Sequence, residues 1–302
     1  MRSRQFFFPL LLVLAINSIL FTGCDAEDEP IPAFVKLSEF EVLVTNPNVH
    51  GSVSGKVTHA KVFFRDLNSG ETHALGVLPL PGTYPVLLEG DYEVNVDPVI
   101  KANGNSLSAL IYPFYERYTA VVNLVPDEDT EVQLTTRYTE NTTFEFIEDF
   151  ENPVHIFSDD RDENPLTFIE RSDLDVFEGN YSGHVHLDTA NNTFVVSSIS
   201  PFTLSVAEQG KIFMELNYKT GVPLEFGVIA VDAQGVEEPN YAFYVFEKEE
   251  WNKIYFDLTE LISSANTDKF FILMRGILPF EGGEFTKLEA DVWLDNVKLV
   301  HF

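Results

Sequence analysis

"KIFMELNYK" (residues 211–219) and "LEFGVIAVD" (224–232) decide how this chain folds. In the first, Ile212, Met214, Leu216 and Tyr218 fall on every second position, so one pleated face carries all four toward a core. The second is almost continuously apolar, which at strand length marks a strand in the centre of a sandwich. "FFILMRG" (270–276) reads the same way, and "ADVWLDNVKLV" (290–300) reads as a closing strand. "FDLTELISS" (256–264) is the one stretch with a helical turn in it, and no long amphipathic helix occurs.

The same period extends upstream. "FEVLV" (40–44), "AKVFFR" (60–65) and "YEVNVDP" (92–98) alternate, and in the last Tyr92, Val94 and Val96 share one face. Turn chemistry separates these runs at Asn46-Pro47-Asn48, Asn68-Ser69-Gly70, Pro81-Gly82, Glu89-Gly90-Asp91 and Pro126-Asp127-Glu128-Asp129. Short strands at such spacing predict antiparallel sandwiches. "TEVQLTTRY" (130–138) closes a first block, and the polar patch in "TENTTFEFIEDFENP" (139–153) is the seam before a second. With 302 residues, 45 % apolar content and 27 Phe there is material for two cores. The blocks show no clear repeat of each other.

The N-terminus sets an address. Arg2 and Arg4 precede an apolar run from Phe6 to Phe21 that Pro9, Asn17 and Ser18 interrupt. It is too short and too broken for a spanning helix of roughly 20 apolar residues, and it reads as a secretory signal peptide. Thr22 and Gly23 then precede Cys24, the only cysteine. This resembles the bacterial lipobox, with Phe21 where Leu is usual. An ordinary signal peptide would leave that thiol without a partner or a use, whereas two or more acyl chains on Cys24 would anchor the protein stably. Cleavage after residue 23 removes two positive charges and takes the net charge from −29 to −31. Such a surface repels phosphates, so nucleic acid is not a partner.

The second block opens with "FIEDFENP", carries "NYSGHVHLD", "MELNYKTGVPLEFGV" and "EEWNKIYFDLTELI", and ends with "WLDNVKLV". It resembles the jelly-roll module of Bacteroidota-type surface lipoproteins, related in architecture to carbohydrate-binding and galactose-binding-like modules. The first block, with "LPLPGTYPVLLEGDYEVNVDPVIKANGNSLSALIYPFYERY", is similar to the N-terminal sandwich of such proteins. The expected architecture is all-β: signal peptide 1–23, acidic tether 24–33, an immunoglobulin-like sandwich over 34–140 and a jelly-roll sandwich over 141–302. The resemblance also implies that Asp25, Glu27, Asp28 and Glu29 act as an export label to the cell surface, the favoured reading over a merely solvated tether.

Candidate sites are few. The resemblance implies one structural Ca2+ joining first and last strands through Glu151 and Asp295, since hard carboxylate oxygens suit that ion. His184, His186 and Asp188 share a strand face, which suits either a transition metal or plain solvent. Asp160-x-Asp162-x-Asn164 begins like a calcium loop but has Pro165 and Arg171 where an EF-hand needs Gly and an acid. Trp251 and Trp293 sit at strand positions that suit a core. "NYAFYVF" (240–246) places Tyr241 and Phe243 on one face and Tyr244 and Phe246 on the other, which makes Tyr241 and Tyr244 the ligand-binding candidates. The nucleophile elbow, the H-E-x-x-H zinc helix and phosphate-binding glycine loops are all missing. The expected function is non-catalytic binding on the outer membrane, to a glycan or to another cell-envelope protein, with a glycoside hydrolase as the third reading.

Overall fold

The computed structural model describes residues 29–302 except Thr45, Val53 and Ser106. The signal peptide, Cys24 and the tether acids before Glu29 lie outside the described residues. The chain is all-β and builds two sandwiches, as the alternating runs predict.

The first sandwich uses β1 (Ala33–Val42), β2 (His59–Asp66), β3 (Thr72–Pro79), β4 (Gly82–Val86), β5 (Gly90–Lys101), β6 (Ala109–Ile111), β7 (Tyr118–Leu124) and β8 (Asp129–Thr136). One sheet runs β4-β1-β8, with β1 parallel to β8, and the other runs β3-β2-β5 with β6 and β7 both on β5. Tyr92, Val94 and Val96 point into the core between them, against Val35, Val62, Phe64 and Leu134. Asn46-Pro47-Asn48, expected as a plain turn, is the start of a one-turn helix, Pro47–His50, in which the Asn46 side chain accepts from Asn48 N.

The second sandwich uses β9 (Thr143–Glu148), β10 (Asp159–Asp160), β11 (Glu170–Ser172), β12 (Ser182–Asp188), β13 (Thr193–Ser197), β14 (Phe202–Thr203), β15 (Ile212–Thr220), β16 (Leu224–Val231), β17 (Glu237–Val245), β18 (Lys248–Asp257), β19 (Lys269–Ile277), β20 (Phe280–Glu281), β21 (Glu284–Phe285) and β22 (Glu289–His301). One sheet runs β10-β13-β19-β16-β17, with β14 on β19. The other runs β11-β12-β22-β15-β18, with β9 on β22. Ile212, Met214, Leu216 and Tyr218 enter the core between the sheets with Phe226, Phe256, Ile272 and Leu299. The expected helical turn is Thr259–Ser264.

Alternation alone would leave the other face of β15 in solvent. Instead Phe213, Glu215 and Asn217 are buried as well, and β22 is buried on both faces from Val292 to His301. The first sandwich supplies the cover. Val42, Ile100, Ala102, Tyr112, Phe114, Tyr115 and Tyr138 pack on Phe213, Tyr255 and Val300 as one aromatic-rich cluster. Beyond β5, Asn103 docks on the edge of β18: its N–H donates to Tyr255 O at 2.8 Å, and its Oδ1 accepts from Asp257 N at 2.8 Å. That contact covers a strand edge and fixes how the two sandwiches meet.

Candidate functional site

Where the end of β5 meets β17 and β18, the two sandwiches leave a cleft of about 270 Å³. Lys56, Thr58, Lys101, Gly104 and Asn105 line it from the first sandwich; Tyr244, Phe246, Lys248 and Asn252 line it from the second. Tyr218, Lys253 and Tyr255 form its inner wall. Gly104 makes this approach with φ +66°, a left-handed conformation that a side chain would strain, and an added Cβ would lie 3.4 Å from Tyr244 O. Tyr244 and Phe246 stand edge to face with centroids 4.9 Å apart, and they are 44 % and 72 % exposed. Phe243 and Val245, on the opposite face of the same strand, are buried in the core. Core packing therefore forces the outer pair toward solvent.

A buried polar cluster holds the wall of the cleft. Glu215 is fully buried and accepts from Tyr112 OH at 2.5 Å and from Tyr138 OH at 2.9 and 3.0 Å. Lys253 Nζ lies 2.9 Å from its Oε2. Burial alone would raise the Glu215 pKa, but the ammonium groups of Lys253 and Lys298 and these hydrogen bonds outweigh it and hold the carboxyl below its usual range. Lys298, also fully buried, donates to His50 O at 2.7 Å and Ser52 O at 2.8 Å and lies 5.3 Å from the Tyr138 ring centroid. Burial first, then the like charge of Lys253, pull the Lys298 pKa down to about 7. Tyr255 OH accepts from Lys56 N at 2.8 Å, which ties the network to the cleft rim.

Tyr244 reaches this cleft, but Tyr241 does not. A β-bulge at Ala242, between the pairs Phe226–Phe243 and Gly227–Tyr241, shifts the register by one residue. Tyr241 is thereby turned away from the Phe243 side to lie under the Arg275 guanidinium, 4.1 Å from its ring centroid, while Arg275 pairs with Glu225. The bulge needs Gly227, because a Cβ there would sit 1.9 Å from Asn240 O. The sequence-based face assignment of Tyr241 is corrected by this one inserted residue.

Glu151 and Asp295 come to one end of the second sandwich and grip the same loop. Glu151 Oε1 accepts from Asn180 N at 2.6 Å and Tyr181 N at 3.0 Å, and Asp295 Oδ2 accepts from Glu178 N at 3.1 Å. Burial, then repulsion from Glu178 and Asp149, raise the Asp295 pKa to about 7. Asn296, at φ +50°, forms a bulge in β22 opposite β15, so that both Leu294 and Val297 reach the core. Among the described residues no group of three or more His, Cys, Asp or Glu is arranged to hold a metal.

His184 Nε2 and His186 Nδ1 share Asp291 Oδ1 at 2.8 and 2.9 Å, whereas Asp188 turns away to accept Ala190 N and Asn191 N at 2.7 Å each. Trp293 is buried and stacks on His184 at 4.0 Å, and Trp251 donates to Asp175 Oδ1 at 2.8 Å. Sequence reasoning passed over the four cleft lysines because they come from three separated segments. The signal available to it was "YVFEKEEWNK" (244–253), which carries two exposed-type aromatics and two lysines in an acidic chain.

No family model matches the chain, and no curated protein matches it. Solved structures that resemble it include a carbohydrate-binding module of the β-sandwich superfamily described for promiscuous specificity. The TM-score is 0.39 at 12 % identity, over 80 % of this chain and 84 % of that one. A family 11 carbohydrate-binding module of the cellulosomal cellulase Lic26A-Cel5E of Clostridium thermocellum gives 0.38 at 9 % identity, over 53 % of this chain and 95 % of that one. The CBM22-1 xylan-binding domain of Paenibacillus barcinonensis Xyn10C gives 0.35 at 16 % identity, over 54 % and 97 %. At such scores the fold of this chain stands on its own strand pairing, and its site stands on its own residues.

Proposed function

We propose that this chain is a non-catalytic glycan-binding module whose ligand lies in the cleft between the two sandwiches, against Tyr244 and Phe246. One observation carries the reading: an exposed aromatic pair, held outward by a packed strand, borders a cleft that also presents Asn105, Asn252 and Thr58. Sugar rings offer an apolar C–H face to aromatic rings and hydroxyls to amides, so this mixture suits them. At about 270 Å³ the cleft lies just below the ~300–1,000 Å³ usual for small-ligand sites. Among its described lining residues there is no Asp or Glu, whereas glycoside hydrolysis uses two carboxyl groups roughly 5–9.5 Å apart. A glycan array probed with the purified full-length chain tests the reading: wild-type signal on a defined glycan set, lost in Tyr244→Ala, supports it. Absence of any glycan signal with the wild type would refute it.

In this proposal Cys24 carries the lipid that places the module on the outer membrane, with the acidic tether as export label. A Cys24→Ser chain that still fractionates with membranes would end that part. Calcium is kept as a separate proposal at the loop end, between Glu151 and Asp295, where a cation would relieve the buried Asp295 carboxyl. Glu151 would first have to release Asn180 and Tyr181. Calcium is expected to raise Tm relative to a chelator, and equal melting with both would remove it.

A further inference from the structure

We propose that the cleft between the sandwiches selects an acidic sugar, whose carboxylate or sulfate is held by Lys56, Lys101 and Lys248; this rests on the glycan reading above. The chain has 48 acidic and 19 basic residues, yet four of those 19 line this one cleft and no described lining residue is acidic. Most of the other described cations are spent on acids. Ten described lysines and arginines, Lys253 among them, lie within 4.0 Å of a carboxylate. Of the described lysines and arginines without such a partner, Lys56, Lys101 and Lys248 gather in this one cleft, whereas Lys61, Arg171, Lys269 and Lys298 do not line it. Lys56 Nζ instead donates to the neutral amide of Asn252.

Two nearby acids are committed elsewhere: Glu247 pairs with Lys287 at 2.5 Å, and Glu215 is held by Lys253 and the two tyrosines behind the wall. Partial burial, then the charges of Lys248 and Lys101, pull the Lys56 pKa below its ordinary value. Lys56 therefore lies close enough to Lys248 and Lys101 to feel their charges, and an anion held between them would relieve that repulsion. The geometry also separates two jobs. Tyr244 and Phe246 stack on a sugar ring regardless of its charge, and the lysines discriminate by charge. Lysine suits this role for either anion, because it is a mobile point charge rather than a planar fork matched to carboxylate. The surrounding net charge of −29 repels anions at long range, so selectivity must be local to this cleft.

Isothermal titration of the full chain with three oligosaccharides of one sugar series provides the test: neutral galactan, oligogalacturonate and sulfated galactan. The expected result is binding to one or both acidic forms at least about tenfold tighter than to the neutral one. The two acidic arms then tell uronate from sulfate. Lys56→Gln, Lys101→Gln and Lys248→Gln, singly and combined, should erase that preference, bringing the acidic forms to the affinity of the neutral one, without a fall in Tm. Neutral galactan bound as tightly as the acidic forms, or a preference that survives the triple variant, overturns this inference and leaves the glycan reading intact. No binding to any glycan, here and on the array, overturns both.

Discussion

Glu215 joins the two sandwiches through a buried carboxylate. It sits behind the cleft at full burial, with two tyrosine hydroxyls and Lys253 on its oxygens. A buried carboxylate loses its hydration and persists only when its partners replace it, so removing it strands Lys253 and Lys298. Glu215→Gln keeps the shape and is expected to lower stability by about 3–5 kcal/mol, read from the urea midpoint. A loss below about 1 kcal/mol would mean the network is not what joins the sandwiches. Lys298 gives a pH signature. It titrates at about 7 in the folded chain and at its ordinary 10.5 when unfolded. Between those values the unfolded chain holds a proton that the folded chain has released, so stability rises with pH from about 7 toward 10. The rise is fully developed only near the unfolded value and is lost as pH falls through the folded one. Tm measured between pH 7.5 and 9.5, below the range where tyrosines of the unfolded chain ionise, should climb in wild type and flatten in Lys298→Met. Parallel curves would contradict the assignment.

Among elements, the bulge between β16 and β17 decides which face of the strand Tyr241 takes. Gly227 permits it, and Gly227→Ala would set a Cβ 1.9 Å from Asn240 O, against backbone that has little room to yield. A loss of about 1–3 kcal/mol in the urea midpoint is expected. An unchanged midpoint would show that the strand pair repacks without the bulge. The bulge also marks what a sequence can tell. Period-two runs such as 92–98 and 211–219 reveal their core faces, because alternation is a local property of the backbone. One inserted residue flips every side chain beyond it, and nothing in "NYAFYVF" says where the insertion falls. The buried outer faces of β15 and β22 were equally hidden, since Phe213 and Val300 are covered by Tyr112, Phe114 and Tyr138 from far upstream. The cleft lysines share that problem, being gathered by the docking of Asn103 on β18.

At the scale of the whole molecule, the site belongs to neither sandwich alone. Lys56, Lys101 and Asn105 come from one, Tyr244, Phe246 and Lys248 from the other, and the buried Glu215 network holds them in register. Binding is therefore coupled to docking, and a variant that loosens the seam should weaken binding without touching a cleft residue. The most direct measurement is isothermal titration of one array-positive glycan against wild type, Tyr244→Ala and Phe246→Ala, with Tm recorded for each. Both side chains are exposed, so folding is expected to survive their removal. A loss of affinity of about tenfold or more in each variant, at unchanged Tm, is the predicted result. Affinity equal to wild type in both would place the glycan elsewhere and contradict the account.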